Sequence, residues 1–108
     1  PANDGARPKL VITTGPQEGT EIPLITDSLT IGRATVSASW DIGLQDKAVS
    51  RPHAKIERKS DNRWVLTDLG SSNGTLLNNK LVTQPSDLQD GAVMLVGQTT
   101  ILFRLSNA

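Results

Sequence analysis

Residues 64–77 read WVLTDLGSSNGTLL and contain two apolar runs separated by a segment rich in glycine, serine and asparagine. The first run, residues 64–67, has three apolar residues followed by threonine, and short apolar runs of this kind bounded by turn residues are typical of β-strands. Residues 70–74 are of the types that favour tight turns, and the apolar pattern resumes at residues 75–77. This stretch therefore predicts two β-strands joined by a polar loop.

Short apolar runs bounded by turn residues also occur on both sides of this stretch. In residues 54–57, apolar and polar side chains alternate as in a half-buried β-strand, and no segment keeps a helical period for three turns. Further runs of this kind lie at residues 10–12, 21–24, 29–31, 41–44, 80–82, 92–96 and 99–105. About ten short strands separated by glycine, asparagine, aspartate and proline are typical of a sandwich. The predicted fold class is therefore all-β, an antiparallel β-sandwich with one wet face on each sheet.

The composition of the chain ends predicts where the folded domain begins and stops. Residues 1–8 are polar and lack an apolar period, so we expect a flexible lead-in or linker remnant there. The folded domain is expected at residues 9–105, followed by a short C-terminal tail at residues 106–108. Because the sequence opens on Pro1, we expect that the domain was excised from a longer chain.

Turn chemistry and the aromatic residues give further local expectations. Hairpin turns are expected at Asp61-Asn62 and Asn78-Asn79, because asparagine tolerates the left-handed backbone conformation that tight hairpins require. Residues 85–91 are expected to form a loop of mixed polarity. Trp40 and Trp64 are expected to pack on the core or on strand faces, since no basic residues are interleaved with them as in a base-stacking surface.

Length and charge restrict the class of protein. A chain of 108 residues and 11.5 kDa is sufficient for one domain. Eleven Lys and Arg residues balance eleven Asp and Glu residues, so the chain lacks the positive field of a general nucleic-acid or anionic-membrane binder. With no cysteine and one histidine, neither a metal nor another cofactor is expected. The absence of any long apolar segment predicts a soluble, intracellular protein, and its compartment stays open.

Three loop segments concentrate groups that bind anions. They are Gly32-Arg33, residues 50–53 (SRPH) and residues 68–75 (DLGSSNGT). Each adjoins a predicted strand end, so guanidinium, hydroxyl and backbone N–H groups converge if the loops gather at one end of the sandwich. Arginine presents a planar fork of donors that matches phosphate oxygens, and hydroxyl or N–H groups satisfy the remaining oxygens. The three segments therefore favour a phosphate-binding site.

In this order and spacing, Gly32-Arg33, Ser50-x-x-His53 and Ser72-Asn73-Gly74-Thr75 preceded by residues 68–70 resemble the motifs of the forkhead-associated (FHA) domain family. The resemblance covers residues 10–105. It implies an FHA/SMAD-like sandwich of about eleven strands that binds phosphothreonine through loops at one end and has no catalytic activity. The implied partner is a protein phosphorylated on threonine by a Ser/Thr kinase. The isolated domain is expected to be a monomer that binds neither nucleic acid nor membranes directly.

The resemblance also implies roles for the residues that match the motifs. Arg33 would hold the phosphate, Ser50 would donate its hydroxyl to it, and Arg51 would add a second basic contact to the phosphate or the peptide backbone. Ser72 would contact the phosphothreonine and help to shape its pocket. Asn73 would hydrogen-bond the peptide main chain beside the phosphothreonine and so fix its register.

A second set of residues is implied to support the loops without touching the ligand: Gly32, His53, Gly74 and Thr75. The chain departs from the family pattern in two places. Asn78-Asn79 stands where the family often has Asn-Gly, and an asparagine there can still form the turn. The loop at residues 34–40 is long and uncharged, which could give a partner preference different from that of close relatives.

Other functions stay open from the residues alone. A hydrolase could use Ser50 or Ser72 as a nucleophile activated by His53, although an extended strand would direct Ser50 and His53 to opposite sides. Residues 70–74 could bind a nucleotide, but they lack the lysine and the strand-to-helix context of a P-loop. The main alternative to phosphothreonine binding is the same sandwich used as a phosphate-independent interaction or oligomerisation scaffold.

Overall fold

In a computed structural model, residues 7–105 form two β-sheets that pack face to face, and these are the residues described below. Residues 1–6 of the expected lead-in and the whole of the expected tail, residues 106–108, lie outside the described residues. Pro8 is buried, and its carbonyl oxygen accepts a hydrogen bond from the Leu24 N–H (3.0 Å). Among the described residues, no helix is long and apolar enough to cross a membrane.

The described residues form eleven strands and no helix, which are, in chain order, β1 (Lys9–Ile12), β2 (Glu21–Pro23), β3 (Ser28–Arg33), β4 (Ile42–Leu44), β5 (Ala54–Arg58), β6 (Trp64–Asp68), β7 (Thr75–Leu77), β8 (Lys80–Leu81), β9 (Ser86–Leu88), β10 (Val93–Val96) and β11 (Thr99–Arg104). The first sheet has the order β2-β1-β11-β10-β7-β8, and the second has the order β4-β3-β5-β6-β9. The first and last strands are antiparallel neighbours, with Lys9 opposite Arg104 and Ile12 opposite Ile101.

One strand pair departs from the antiparallel pattern of the two sheets. Strands β3 and β4 pair in parallel, with Ile31 opposite Ile42, whereas the other hydrogen-bonded strand pairs of the described residues are antiparallel. Residues 34–41 carry the chain back alongside β3, so β4 runs in the same direction as β3 at the edge of the second sheet. The predicted all-β sandwich is confirmed, with this one parallel pair as an addition.

The core lies between the two sheets and is filled by alternate side chains of their strands. Leu10 and Phe103 from the first sheet are fully buried, and so are Ile56 and Leu66, which lie opposite each other in the second sheet. Trp64 also belongs to this core, as predicted. Removal of these apolar side chains from water is the main driving force that holds the sheets together.

The turns confirm most of the local expectations, with one exception. Asn62, Asn78 and Asn79 adopt positive φ angles of 68°, 50° and 70°, which confirms the two predicted asparagine turns. The expectation of a loop throughout residues 85–91 is wrong, because β9 (Ser86–Leu88) pairs antiparallel with β6. Its one buried apolar side chain, Leu88, enters the core, and three residues are too few to show a strand period in the sequence.

Strand pairing brings three loops to one end of the sandwich. The loops are the β3–β4 loop (residues 34–41), the β4–β5 loop (residues 45–53) and the β6–β7 loop (residues 69–74). Strand β5 begins at Ala54, which lies opposite both Ile31 of β3 and Asp68 of β6. The end of β3, the start of β5 and the end of β6 are therefore adjacent, and the loops that leave them share one surface.

We expect Leu66→Ala to lower the free energy of unfolding by about 2–5 kcal/mol, because it removes buried methyl groups and leaves a cavity between the sheets. The matched control is Ile25→Ala, at an apolar side chain that is 66% exposed, and we expect it to change stability by less than about 0.5 kcal/mol. Urea denaturation followed by tryptophan fluorescence measures both. Equal effects of the two substitutions would contradict the assignment of Leu66 to the core.

Candidate anion-binding cleft

The β4–β5 and β6–β7 loops and the end of β3 enclose an open cleft of about 440 Å³. The residues that line it are Arg33, Lys47, Ala48, Val49, Ser50, Arg51, Pro52, Leu69, Gly70, Ser72 and Asn73. Three of these side chains carry a positive charge and none carries a negative charge. The cleft is therefore locally cationic in a chain whose formal net charge is +0.

Arg33 is the last residue of β3, and hydrogen bonds on both sides fix its backbone. Its N–H donates to the Ser50 carbonyl oxygen (3.1 Å), and its own carbonyl oxygen accepts from Nε1 of Trp40 (2.9 Å). Its Nη1 donates to the Lys47 carbonyl oxygen (3.2 Å), while its buried Nε has no acceptor among the described residues. The guanidinium is thus held beside the cleft and keeps further N–H donors for an anion.

Gly32 permits Trp40 to lie directly on β3. A Cβ atom added at Gly32 would stand 2.5 Å from Cε2 of the indole ring, which is far closer than atoms can approach. Any side chain at this position would displace the indole and break its hydrogen bond to Arg33. Gly32 therefore acts on the cleft through Trp40, and Trp40 packs on a strand face as predicted.

Ser50 connects the end of β3 to both cleft loops. Its N–H donates to Nδ1 of His53 (2.9 Å), and its Oγ accepts a hydrogen bond from the Ser72 N–H (2.9 Å). A hydroxyl group that accepts from a backbone N–H keeps its own hydrogen as a donor. The Ser50 hydroxyl is therefore positioned to donate to an anion in the cleft.

His53 is fully buried behind the cleft and does not line it. Its Nδ1 accepts from the Ser50 N–H, and its Nε2 donates to the Gly74 carbonyl oxygen (2.9 Å). This pattern assigns the neutral tautomer with its hydrogen on Nε2. The backbone of His53 is bound as well, because its N–H donates to Ile31 (2.8 Å) and its carbonyl oxygen accepts from Leu69 (2.9 Å). The ring therefore joins the β4–β5 loop to the β6–β7 loop.

Asp68 organises the β6–β7 loop from within. One carboxylate oxygen accepts from the N–H groups of Gly70 and Ser71 (both 3.0 Å), and the other accepts from the hydroxyls of Ser71 (2.5 Å) and Thr75 (2.7 Å). Burial opposes ionisation of this carboxyl group, but the hydrogen bonds from Ser71 and Thr75 outweigh burial and lower the pKa of Asp68 below its ordinary value. The loop is thus folded around a carboxylate that has no free oxygen directed at the cleft.

Ser72 and Asn73 present the exposed tip of the same loop to the cleft. The Ser72 N–H is bound to Ser50, which leaves its side-chain hydroxyl at the cleft surface. Nδ2 of Asn73 donates to the Ala48 carbonyl oxygen (2.9 Å) and so ties the β6–β7 loop to the β4–β5 loop. The amide oxygen of Asn73 makes no hydrogen bond within the described residues and can accept one from a ligand.

Gly74 and Thr75 shape the return of the chain into β7. Gly74 has a φ of +78°, in the left-handed region that side chains disfavour, and an added Cβ would meet Leu81 at 2.8 Å. Thr75 is fully buried and reaches Asp68 with its hydroxyl. Neither residue lines the cleft.

The structure brings together the five residues predicted to contact a ligand, since Arg33, Ser50, Arg51, Ser72 and Asn73 all line the cleft. The four residues predicted to support the loops, Gly32, His53, Gly74 and Thr75, do not line the cleft. His53 is hydrogen-bonded to the lining residue Ser50. The other three contact residues behind the lining: Gly32 contacts Trp40, Gly74 contacts His53, and Thr75 contacts Asp68. Contact of any of these residues with a ligand stays a prediction.

Sequence reasoning missed Lys47 and Asp46, which belong to the β4–β5 loop. Lys47 lines the cleft, and Asp46 closes the base of the loop. The Asp46 carboxylate accepts from the N–H groups of Ala48 (2.9 Å) and Gln98 (2.7 Å) and from the hydroxyl of Thr99 (2.7 Å). Burial opposes its ionisation, but these hydrogen bonds outweigh burial and lower the pKa of Asp46. In the sequence, the only signal that Lys47 belongs to the cleft is its position three residues before Ser50.

Comparison with known proteins agrees with this geometry. Residues 29–97 match the family model described as the FHA domain. An FHA domain-containing protein of Arabidopsis thaliana is 42% identical over 94 residues, which cover 85% of this chain and 24% of that protein. The chain therefore spans about a quarter of the length of that relative.

Solved structures give the same result. A protein from a study of phosphothreonine-dependent FHA domain interactions is 34% identical, with a TM-score of 0.77 over 91% of this chain and 95% of that one. EmbR of Mycobacterium tuberculosis, solved with a low-affinity phosphopeptide, is 28% identical, with a TM-score of 0.82 over 95% of this chain and 25% of that one. The similarity thus extends over nearly the whole sandwich.

We expect the stability of the protein to fall in acid in a way that depends on Asp68. Because the folded state lowers the pKa of Asp68, the unfolded chain binds more protons, so this contribution to stability is complete above the ordinary pKa of 3.8 and is lost as pH falls through the lower folded value. Asp68→Asn should lower the free energy of unfolding at neutral pH by about 1–3 kcal/mol and weaken its dependence on pH below about 5.

Urea denaturation at a series of pH values measures both effects. The control is Asp87→Asn, at an exposed carboxylate that pairs with Arg63 on the solvent side (2.9 Å), for which we expect less than about 0.5 kcal/mol. An Asp68→Asn protein with the stability and acid profile of the unaltered protein would show that the loop does not depend on this carboxylate.

Proposed function

The chain belongs to the FHA family, and from this premise we propose that it is a phosphothreonine-dependent peptide-binding module that recruits threonine-phosphorylated proteins. The observation that carries the proposal is the cleft itself. It collects Arg33, Ser50, Arg51, Ser72 and Asn73 from the end of β3 and two loops and contains no carboxylate. Such a donor-rich, cationic surface suits a phosphate group attached to a peptide.

The phosphate lies between the two arginines and the Ser50 hydroxyl in this proposal. The Arg33 guanidinium makes one hydrogen bond within the described residues, to the Lys47 carbonyl oxygen, so its other N–H groups can donate to the phosphate. Arg51 adds a second positive charge from the exposed side of the cleft. Each charge-assisted hydrogen bond contributes about 1.5–3 kcal/mol, and three or four of them, less the entropy lost on binding, correspond to about micromolar affinity. This strength suits a contact that a kinase and a phosphatase can switch.

The peptide main chain is held by Asn73, next to the phosphate. Nδ2 of Asn73 is engaged by Ala48, which orients the amide so that its oxygen can accept from a peptide N–H. Apolar atoms of Leu69, which lines the cleft and is 37% exposed, can receive the methyl group that distinguishes threonine from serine. Such a methyl contact discriminates by only about 1–3 kcal/mol, so phosphoserine should bind more weakly without being fully rejected.

Within the proposal the domain is an adaptor and not a catalyst. A serine hydrolase requires a histidine that takes a proton from the serine hydroxyl. Both ring nitrogens of His53 are instead engaged by backbone groups, Nδ1 by the Ser50 N–H and Nε2 by the Gly74 carbonyl oxygen. The histidine therefore has no free nitrogen with which to activate Ser50 or Ser72.

The other candidate function is a phosphate-independent interaction scaffold, because the same sandwich can present many surfaces to a partner. A phosphate-independent scaffold would not require Arg33, Lys47 and Arg51 in one cleft. Their mutual repulsion makes this arrangement unfavourable unless the cleft binds an anion. The concentration of cations supports anion binding over this alternative.

We expect a phosphothreonine peptide pool to bind with about micromolar affinity, and the same pool with unmodified threonine not to bind. Arg33→Ala should weaken binding at least about tenfold, because it removes a charged donor at the phosphate. The control is Arg104→Ala, an exposed arginine on β11 that should leave the affinity unchanged. Fluorescence anisotropy measures all three. Saturable binding of the unmodified pool, or full binding by Arg33→Ala, would favour the scaffold.

We also expect affinity for the phosphothreonine pool to fall as the pH drops below about 6, because the phosphate then loses its second negative charge. The anisotropy titration is repeated between about pH 7.5 and pH 5, and circular dichroism checks that the domain stays folded. An affinity that does not change over this range would show that the site does not depend on the phosphate dianion.

A further inference from the structure

Two of the side chains that bind the ligand in the proposed function are oriented by backbone carbonyl groups of the β4–β5 loop. The Lys47 carbonyl oxygen accepts from Nη1 of Arg33 (3.2 Å). The Ala48 carbonyl oxygen accepts from Nδ2 of Asn73 (2.9 Å). Neither side chain makes another hydrogen bond within the described residues. The directions in which Arg33 and Asn73 present their free polar atoms to the cleft therefore depend on two consecutive carbonyl groups.

Asp46 holds both of these carbonyl groups through the peptide planes to which they belong. The Lys47 carbonyl shares its plane with the Ala48 N–H, which donates to Oδ1 of Asp46 (2.9 Å). The Ala48 carbonyl shares the next plane with the Val49 N–H, which donates to the carbonyl oxygen of Asp46 (3.1 Å). The N–H and C=O groups of a trans peptide point in opposite directions. Each bond to Asp46 therefore directs the carbonyl of the same plane toward the side chain that it binds.

The second carboxylate oxygen of Asp46 is bound by the facing sheet. Its Oδ2 accepts from the Gln98 N–H (2.7 Å) and from the Thr99 hydroxyl (2.7 Å), at the turn that joins β10 to β11. Thr99 is buried and lies opposite Val96, the last residue of β10. The turn belongs to the first sheet, whereas the β4–β5 loop extends from strands of the second. Asp46 therefore fixes the loop relative to a hairpin of the other sheet.

Gly97 allows this hairpin to pack directly against the loop. Its φ of +64° lies in the left-handed region that side chains disfavour. A Cβ atom added there would stand 2.7 Å from Cγ2 of Val49 and 2.9 Å from Oδ2 of Asp46. Close packing opposes movement of the loop toward the turn, and the two hydrogen bonds to Asp46 oppose movement away from it.

We propose that Asp46 positions Arg33 and Asn73 for the ligand, and that the β10–β11 turn is the fixed point from which it does so. The inference rests on the proposed function and adds a positioning residue to the same site. Asp46 does not line the cleft, so it acts on the ligand only through other residues. Its bonds restrict the directions open to the two side chains before the ligand arrives, which reduces the entropy lost on binding.

A purely structural role for Asp46 gives a different result from a positioning role. If Asp46 only stabilises the fold, its removal weakens ligand binding by the same factor whether or not the Asn73 side chain is present. If Asp46 acts through Asn73, part of its effect is already absent from a protein without that side chain, so the two substitutions are not additive. Competition by inorganic phosphate, which has no main chain for Asn73 to bind, reports the part of the effect that passes through Arg33.

The test measures the affinity for the phosphothreonine peptide pool by fluorescence anisotropy, together with its inhibition by inorganic phosphate. Asp46→Ala is introduced into the unaltered protein and into Asn73→Ala, which completes a double-mutant cycle. The matched control is Asp90→Ala, because Oδ1 of Asp90 also accepts a backbone N–H, that of Leu105 (2.9 Å), whereas Asp90 does not line the cleft. Circular dichroism checks that each variant is folded. If Asp46→Ala does not fold, Asp46→Asn replaces it, since an amide keeps the shape of the side chain and loses one acceptor oxygen.

We expect Asp46→Ala to weaken binding of the pool about tenfold in the unaltered protein and about threefold in Asn73→Ala, where only the effect through Arg33 remains. It should raise the inhibition constant of inorganic phosphate about threefold. Asp90→Ala should change neither quantity. Thr99→Val removes the hydroxyl bound to Asp46 and keeps the shape of the side chain, so it should weaken binding about threefold, and Thr99→Ser should recover most of that loss.

Any of three results overturns the inference. They are equal losses from Asp46→Ala in the two proteins, a phosphate inhibition constant that Asp46→Ala does not change, and full affinity in Thr99→Val. In each case the unaltered protein still binds the phosphothreonine pool, and the proposed function stands. If the unaltered protein does not bind the pool, the proposed function fails, and the inference fails with it because there is no ligand for which the side chains are positioned.

Discussion

The buried side chain of His53 makes the two hydrogen bonds on which the shape of the cleft depends. It contacts the Ser50 N–H on one loop and the Gly74 carbonyl oxygen on another, and both partners lie next to residues that line the cleft. Neither loop has regular secondary structure to hold it, so these bonds substitute for a strand ladder. Because both groups are removed from water, loss of the ring would leave two polar backbone groups unsatisfied, which is more costly than the loss of a surface bond.

The carboxylates of Asp46 and Asp68 have a similar function for each loop separately. Each accepts hydrogen bonds from backbone N–H groups and from a threonine hydroxyl, and each therefore fixes the curvature of the chain around it. Neither acid lines the cleft, although Asp46 belongs to the β4–β5 loop and Asp68 directly precedes the β6–β7 loop. A formal net charge of +0 for the whole chain thus coexists with a strongly cationic local surface.

The parts of the structure that sequence reasoning predicted are those that leave a local pattern. Alternation identified β5, and a short apolar run identified β6. Asparagine identified the turn at residues 78–79, and motif spacing identified the cleft-lining set around Ser50. Strand β9 was missed because a three-residue edge strand with one buried leucine has no measurable period. Lys47 was missed because a lysine in a loop has no local pattern that distinguishes it from other solvent-exposed lysines, and only the fold places it in the lining of the cleft.

The pairing of the first strand with the last determines how the sandwich can be joined to other polypeptide. Lys9 lies opposite Arg104 at one end of this strand pair, and Ile12 lies opposite Ile101 at the other end. The end with Ile12 and Ile101 is nearer to Thr75, where β7 begins beside the cleft loops. The chain therefore enters and leaves through neighbouring positions at the pole remote from the cleft. A domain with adjacent ends can be inserted into a host chain with little disturbance, and attached segments would leave the ligand approach unobstructed.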